Sequence, residues 1–184
     1  MNANGTHGVY EARYGWNPRT LGVVAVAVVF TVLLIVLDVS ALMRWAGIVL
    51  FGGGGLLMAY GALSRKAAFR VDADGVLLGG SPVRHRATTA RVPWEDVAAV
   101  VLWRQNVPGS GMEWVGVACR PGAAPPPGPG QGTLARATLR ALVPHVPEDV
   151  VLASRPVNGW RLDRDALTAA VGAFAPGIPV VRAE

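Results

Sequence analysis

The chain has 184 residues, 52% of them hydrophobic and only 16% charged, a balance that excludes a disordered polypeptide and suits either one ordinary domain or a small domain with a membrane anchor. The formal net charge of +5 contains no block of like sign, and all but one of the 17 basic residues are arginine, a bias from which no function follows. Cys119 stands alone, which excludes an internal disulfide and leaves nothing to argue for an oxidising compartment or a cysteine-based metal site.

Residues 1–20 read as a polar N-terminal tail holding Glu11, Arg13 and Arg19. From Leu21 to Leu63 the only charged residues are Asp38 and Arg44, and this stretch accounts for much of the mean hydropathy of +0.37. Its two apolar runs, Leu21–Leu37 and Trp45–Leu63, approach the length a helix needs to cross a hydrocarbon core at roughly 1.5 Å per residue. They predict two transmembrane helices, over about 21–39 and 45–63, joined as a hairpin. A buried helix pair in a soluble protein is the competing reading, and it needs a larger apolar shell than the remaining residues can build. A cleavable signal peptide is not expected, because Glu11 and two arginines precede the first run and no A-x-A-like site ends it.

Flanking charge sets the expected orientation, since Lys and Arg near helix ends stay on the cytoplasmic side. Arg13 and Arg19 precede the first run, and Arg65, Lys66 and Arg70 follow the second, whereas Arg44 in the turn is offset by Asp38. Both termini are therefore expected in the cytoplasm, in a multi-pass protein of the cell (inner) membrane. Trp16 and Trp45 sit at the ends of the runs, where indole rings prefer the interface. Gly52 to Gly55, with the small-xxx-small pair Gly55 and Ala59, suit close helix packing. An ion path is the functional alternative, but working intramembrane charges lie deeper than Asp38 and have partners.

After Lys66 short β-rich segments replace the apolar runs. Ala68–Asp72 and Gly75–Gly79 flank a turn at Ala73-Asp74-Gly75 and predict a tight hairpin. Val92–Trp94 leads through Glu95-Asp96 into the valine-rich Val97–Trp103, and Pro108–Gly111 turns the chain into a strand over Glu113–Arg120. The Pro/Gly segment 121–132 reads as a flexible loop, and Thr133–Val143 as a short helix with Arg136 and Arg140 on one face. Val150–Ala153 and Gly159–Leu162 look like further strands. Asp163 then caps a helix over Arg164–Phe174 that presents Leu167, Val171 and Phe174 at i, i+4, i+7, and Pro176-Gly177 stops it. Five to seven strands and one amphipathic helix make an α+β module over residues 66–181.

The FRVDADGV hairpin, the segment Arg91–Val97 (RVPWEDV) opening a valine-rich strand, and the closing stretch Trp160–Val181, all behind a transmembrane pair, resemble the bacterial membrane-anchored pleckstrin-homology-like (PH-like) domain proteins of actinobacterial type. The most specific element is Pro93-Trp94-Glu95-Asp96. The resemblance implies a partly open β-barrel plugged by the C-terminal helix, and it implies no particular ligand, because such domains bind lipids, peptides or nothing known. The Pro/Gly loop and the 133–143 segment depart from a compact version of that fold.

Groups able to carry catalysis are few. His7 lies in the tail, His85 between Arg84 and Arg86, and His145 between prolines 144 and 147, and none has a ligand-type neighbour at i+2 to i+4. Cys119 reads as a small core side chain, and Glu95-Asp96 and Glu148-Asp149 are adjacent pairs whose side chains point apart. No nucleotide-binding loop or nucleophile elbow occurs. Trp94, Trp103, Trp114 and Trp160 suit core and rim packing better than base stacking, because no basic stripe accompanies them. The cluster that suggests a contact is Arg84, His85, Arg86 and Arg91, in and beside one strand-to-strand loop, where the resemblance to PH-like folds implies a site for lipid head groups; solvated loop charge is the plainer alternative.

These features predict a non-enzymatic, cofactor-free membrane protein that presents a PH-like binding or scaffold module at the inner face of the bilayer. Its partner is a protein or anionic lipid, with no nucleic acid. A structural subunit of a larger membrane complex is the nearest alternative, and a hydrolase or transporter component a more distant one.

Overall fold

The computed structural model describes residues 8–105, 111–124, 126 and 146–183. Strand β1, Tyr10–Arg13, lies within what reads in the sequence as a tail, yet it pairs antiparallel with β2, Ala67–Asp72, setting Tyr10 opposite Val71 and Ala12 opposite Phe69. The apolar helices are thus inserted between two neighbouring strands of one sheet.

Asn17 caps the first helix by accepting the Thr20 amide at 2.8 Å, and Pro18, which needs no amide partner, opens it. Helix α1 runs Pro18–Val36. The return path is α2, Ala41–Gly47, a π-helical turn at Ile48–Gly53 and α3, Gly54–Leu63, which continue into one another. The two spans, Pro18–Val36 of 19 residues and Ala41–Leu63 of 23, are long and apolar enough to cross a bilayer. Both begin a few residues earlier than the hydrophobic runs suggest, because the caps Asn17 and Ser40 set the first turns. Between them Gly55 abuts Ala27, where an added Cβ would come within 3.0 Å of the alanine methyl, Gly47 lies against Leu34, and Phe30 stacks on Phe51 at 4.9 Å. Glycine does serve helix packing here, but Gly53 and Gly54 face open space.

The expected hairpin is present as β2 and β3, Gly75–Leu78. Asp72 accepts the Asp74 amide across the turn, and Gly75 is obligatory: its φ is +135°, and a Cβ there would lie 2.2 Å from the Val92 carbonyl oxygen. A helical turn α4, His85–Thr88, leads to β4, Ala90–Val92, and a 3-10 turn, Trp94–Asp96, to β5, Val97–Gln105. The Trp94 indole N–H donates to the Asp72 carbonyl at 2.9 Å, which ties that turn to the hairpin. Then come β6, Met112–Cys119, α5, Glu148–Leu152, β7, Ser154–Pro156, α6, Arg164–Phe174, and β8, Val180–Ala183.

The described strands form two four-stranded sheets, ordered β1-β2-β3-β4 and β7-β6-β5-β8, with β8 parallel to β5. The α+β expectation holds, and the described strands divide between two sheets and do not close into one barrel. Phe69, Val71, Val76 and Leu78 of the first sheet and Val97, Val100, Val115 and Val117 of the second fill a common core, each with no exposed surface. Helix α6 is capped as expected, Asp163 accepting the Ala166 amide, and it drives Leu167 and Val171 into that core with Phe174 packed at its edge.

Two expected strands are absent. Val150–Ala153 falls in and just after α5, where Pro147 precedes the first turn and Glu148 and Asp149 sit in it, a favourable place for negative charge. Its Val150 and Val151, with Val146, cover Val101 and Trp103 on the outer face of the second sheet. Residues 159–162 form a bend, and the strand in that region is β7, three residues upstream. The 133–143 helix, most of the 121–132 loop, His7 and His145 lie outside the described residues.

Candidate functional site

The segment from Gly79 to Thr89, between β3 and β4, contains three of the four basic residues that the sequence groups together, and it is fastened at both faces. Arg155, buried at 3% exposure on β7, donates from Nε to the Gly79 carbonyl at 3.1 Å, from one terminal nitrogen to the Thr88 carbonyl at 3.1 Å and from the other to its own neighbour Ser154 at 3.0 Å. Burial pushes this guanidinium below its ordinary pKa, with the nearby Tyr14 acting in the opposite direction. Tyr14, whose hydroxyl donates to the Gly80 carbonyl at 3.2 Å, has its own pKa raised by burial, and Arg155 partly offsets that.

From the other side, His85 sets Nε2 2.9 Å from the Ala67 carbonyl oxygen and Nδ1 3.2 Å from the Thr89 hydroxyl. Both ring nitrogens are engaged within the fold, so His85 holds the loop to β2 and is not presented outward. Lys66 Nζ donates to the Pro82 carbonyl at 2.8 Å while lying over the Tyr60 ring.

These anchors leave Val83, Arg84 and Arg86 exposed, Val83 at 55%. The loop also abuts the helix pair. A Cβ on Gly61 would stand 3.5 Å from Pro82, and a cavity of about 300 Å³ between Ser81–Val83 and the adjoining ends of α1 and α3 is lined by Thr20, Met58 and Gly61 among others. The exposed arginines therefore stand at the end of the domain from which the apolar helices depart.

Arg91 is separate from them. It lies on β4 opposite Leu77, toward the hairpin tip, and its guanidinium bridges Asp72 at 3.3 Å and Asp74 at 3.0 Å. Asp72, buried at 6%, also receives Arg70 at 2.8 Å, so this end of the sheet is a local ion-pair network.

The remaining sequence candidates have structural roles. Cys119 packs at the core edge, and burial, then Asp149 and Asp96, push its thiol up, away from the thiolate that nucleophilic chemistry requires. Trp103 and Trp160 are buried with their indole N–H groups donating to the Ser154 hydroxyl and the Pro156 carbonyl, both at 3.0 Å. Trp114 stacks on Trp103 at 4.9 Å. Among the described residues no three His, Cys, Asp or Glu side chains come together as metal ligands. Sequence reasoning missed Arg155, which reads as one more arginine between two short segments; its only signal is a cation beside apolar Val150–Ala153.

Comparison with protein-family models, with curated proteins and with solved structures finds no match to this chain.

Proposed function

We propose that this is a multi-pass protein of the cell (inner) membrane whose two helices hold a PH-like cytoplasmic module against the bilayer, where it engages anionic lipid head groups without enzymatic activity. The observation that carries this reading is the placement of Val83, Arg84 and Arg86, exposed on a loop that abuts the ends of α1 and α3. The helices add support: only 11% of either apolar span is buried, unlike the core helices of a soluble protein, so their surfaces call for an apolar solvent. A basic side chain near an anionic leaflet contributes on the order of 1 kcal/mol, within a Debye length of roughly 10 Å at 0.1 M salt. Two arginines tethered near the surface contribute about 2 kcal/mol toward orienting the domain, and Val83 adds an apolar contact.

The test uses full-length protein carrying Val83→Cys in a Cys119→Ala background, labelled with an environment-sensitive fluorophore and placed in lipid nanodiscs. Emission should shift to the blue in anionic discs relative to zwitterionic ones, and Arg84→Gln with Arg86→Gln should abolish the difference, as should high salt. Identical spectra in the two lipids would discard the lipid reading and leave a protein as the partner.

A further inference from the structure

Two unfilled volumes share a lining residue, Met58. One is a groove of about 690 Å³ between α1 and α3. It begins at Pro18 and Arg19, beside the β domain, and follows α1 to Ala27, a distance of about 14 Å at 1.5 Å per residue. The groove exists because Gly22 and Gly54 carry no side chain, and a Cβ at either would meet nothing within 4 Å. Its walls, Val23, Val26, Leu50 and Phe51, are apolar.

The second volume is the junction cavity of about 300 Å³, whose lining turns polar with Tyr14, Thr20, Ser81 and Asn158. Thr20 is 3% exposed, and its hydroxyl has no hydrogen-bond partner. A buried hydroxyl left without a partner is costly, and an acceptor oxygen from a ligand relieves that cost.

We propose that these volumes form one seat for a single membrane phospholipid, with an acyl chain along the Gly22–Gly54 groove and an ester or phosphate oxygen accepting from Thr20. The order of the linings matches the molecule: apolar along the helices, then hydroxyl and amide groups where the helices leave the bilayer. The inference rests on the membrane reading but not on the loop arginines. A lipid so held fixes the β domain relative to the helix pair, because Thr20 belongs to α1 while Ser81 and Asn158 belong to the domain.

The test is native mass spectrometry of the full chain released from nanodiscs of phosphatidylglycerol or of phosphatidylcholine. Wild-type protein should retain one phospholipid under activation that strips the rest. Gly22→Leu and Gly54→Leu, which fill the groove, should lower the retained fraction at least tenfold, and Thr20→Val should lower it several-fold. Gly53→Leu, also in open space but outside the groove, should retain the lipid. Retention of both lipids assigns the contact to the ester and phosphate oxygens they share, and retention of phosphatidylglycerol alone assigns it to the glycerol of its head group. Inserted wild-type protein that emerges bare, or equal retention by Gly54→Leu and Gly53→Leu, would overturn the site. Failure of the chain to enter nanodiscs would overturn the membrane reading and this inference together.

Discussion

Replacing Arg155 with Met should destabilise the β domain by about 2 to 4 kcal/mol and free the Gly79–Thr89 loop. The guanidinium serves two carbonyls from a segment more than 60 residues away in sequence, Gly79 and Thr88, each at 3.1 Å. Hydrogen bonds to a charged donor contribute about 1.5 to 3 kcal/mol each, and carbonyls stripped of their donor are desolvated without return. Two terms reduce the total. Methionine fills most of the vacated volume, and the fold no longer keeps a cation out of water, a cost visible in the lowered Arg155 pKa. The measurement is chemical unfolding of the full chain in detergent, read by tryptophan fluorescence, with hydrogen exchange on the loop amides. A loss below about 0.5 kcal/mol with unchanged exchange would mean that the loop is held by Tyr14, His85 and Lys66 without Arg155.

Leu167→Ala should cost about 2 to 5 kcal/mol, the range for removing a large aliphatic side chain from a core that relaxes only partly. Leu167 has no exposed surface, and its helix packs on the first sheet beside Phe69 and Trp160, whose rings stack at 6.4 Å. Aromatic rings held in that arrangement cannot readily close over a new cavity, which places the expectation in the upper half of the range. The outward-facing Ala169 on the same helix should accept Ser with little effect. A Leu167→Ala cost no larger than that of Ala169→Ser would show that α6 does not seal the core.

Where residues announce their own local structure, the chain was legible. The apolar spans needed only continuity, the β2–β3 hairpin needed Asp74-Gly75, and α6 needed Asp163 with leucine and valine four apart. Strand β1 could not be read this way. Tyr-Glu-Ala-Arg is four residues long, and its strand character comes from pairing with β2, whose Val71 lies opposite Tyr10 across the whole apolar helix pair. Helix α5 misled for the opposite reason: its valines favour a strand locally, but packing on Val101 and Trp103 and the acidic first turn after Pro147 decide otherwise. The candidate site shows the same division. Proximity in sequence joined Arg91 to Arg84 and Arg86, but Arg91 lies on β4, outside their loop, where Asp72 and Asp74 pair with it. Burial turned His85 and Arg155 into loop fasteners, and no residue type alone foretells that.

The insertion of the helix pair between β1 and β2 fixes one property independent of any ligand: the chain must leave the apolar layer on the side where it entered, because Ala12 and Phe69 are partners in one sheet. Topology reporters fused before Met1 and after Glu184 test this directly. Both fusions should report the same side, and the positive charge flanking the helices favours the cytoplasm. Reporters on opposite sides would contradict the account, because the β1–β2 ladder could not then form.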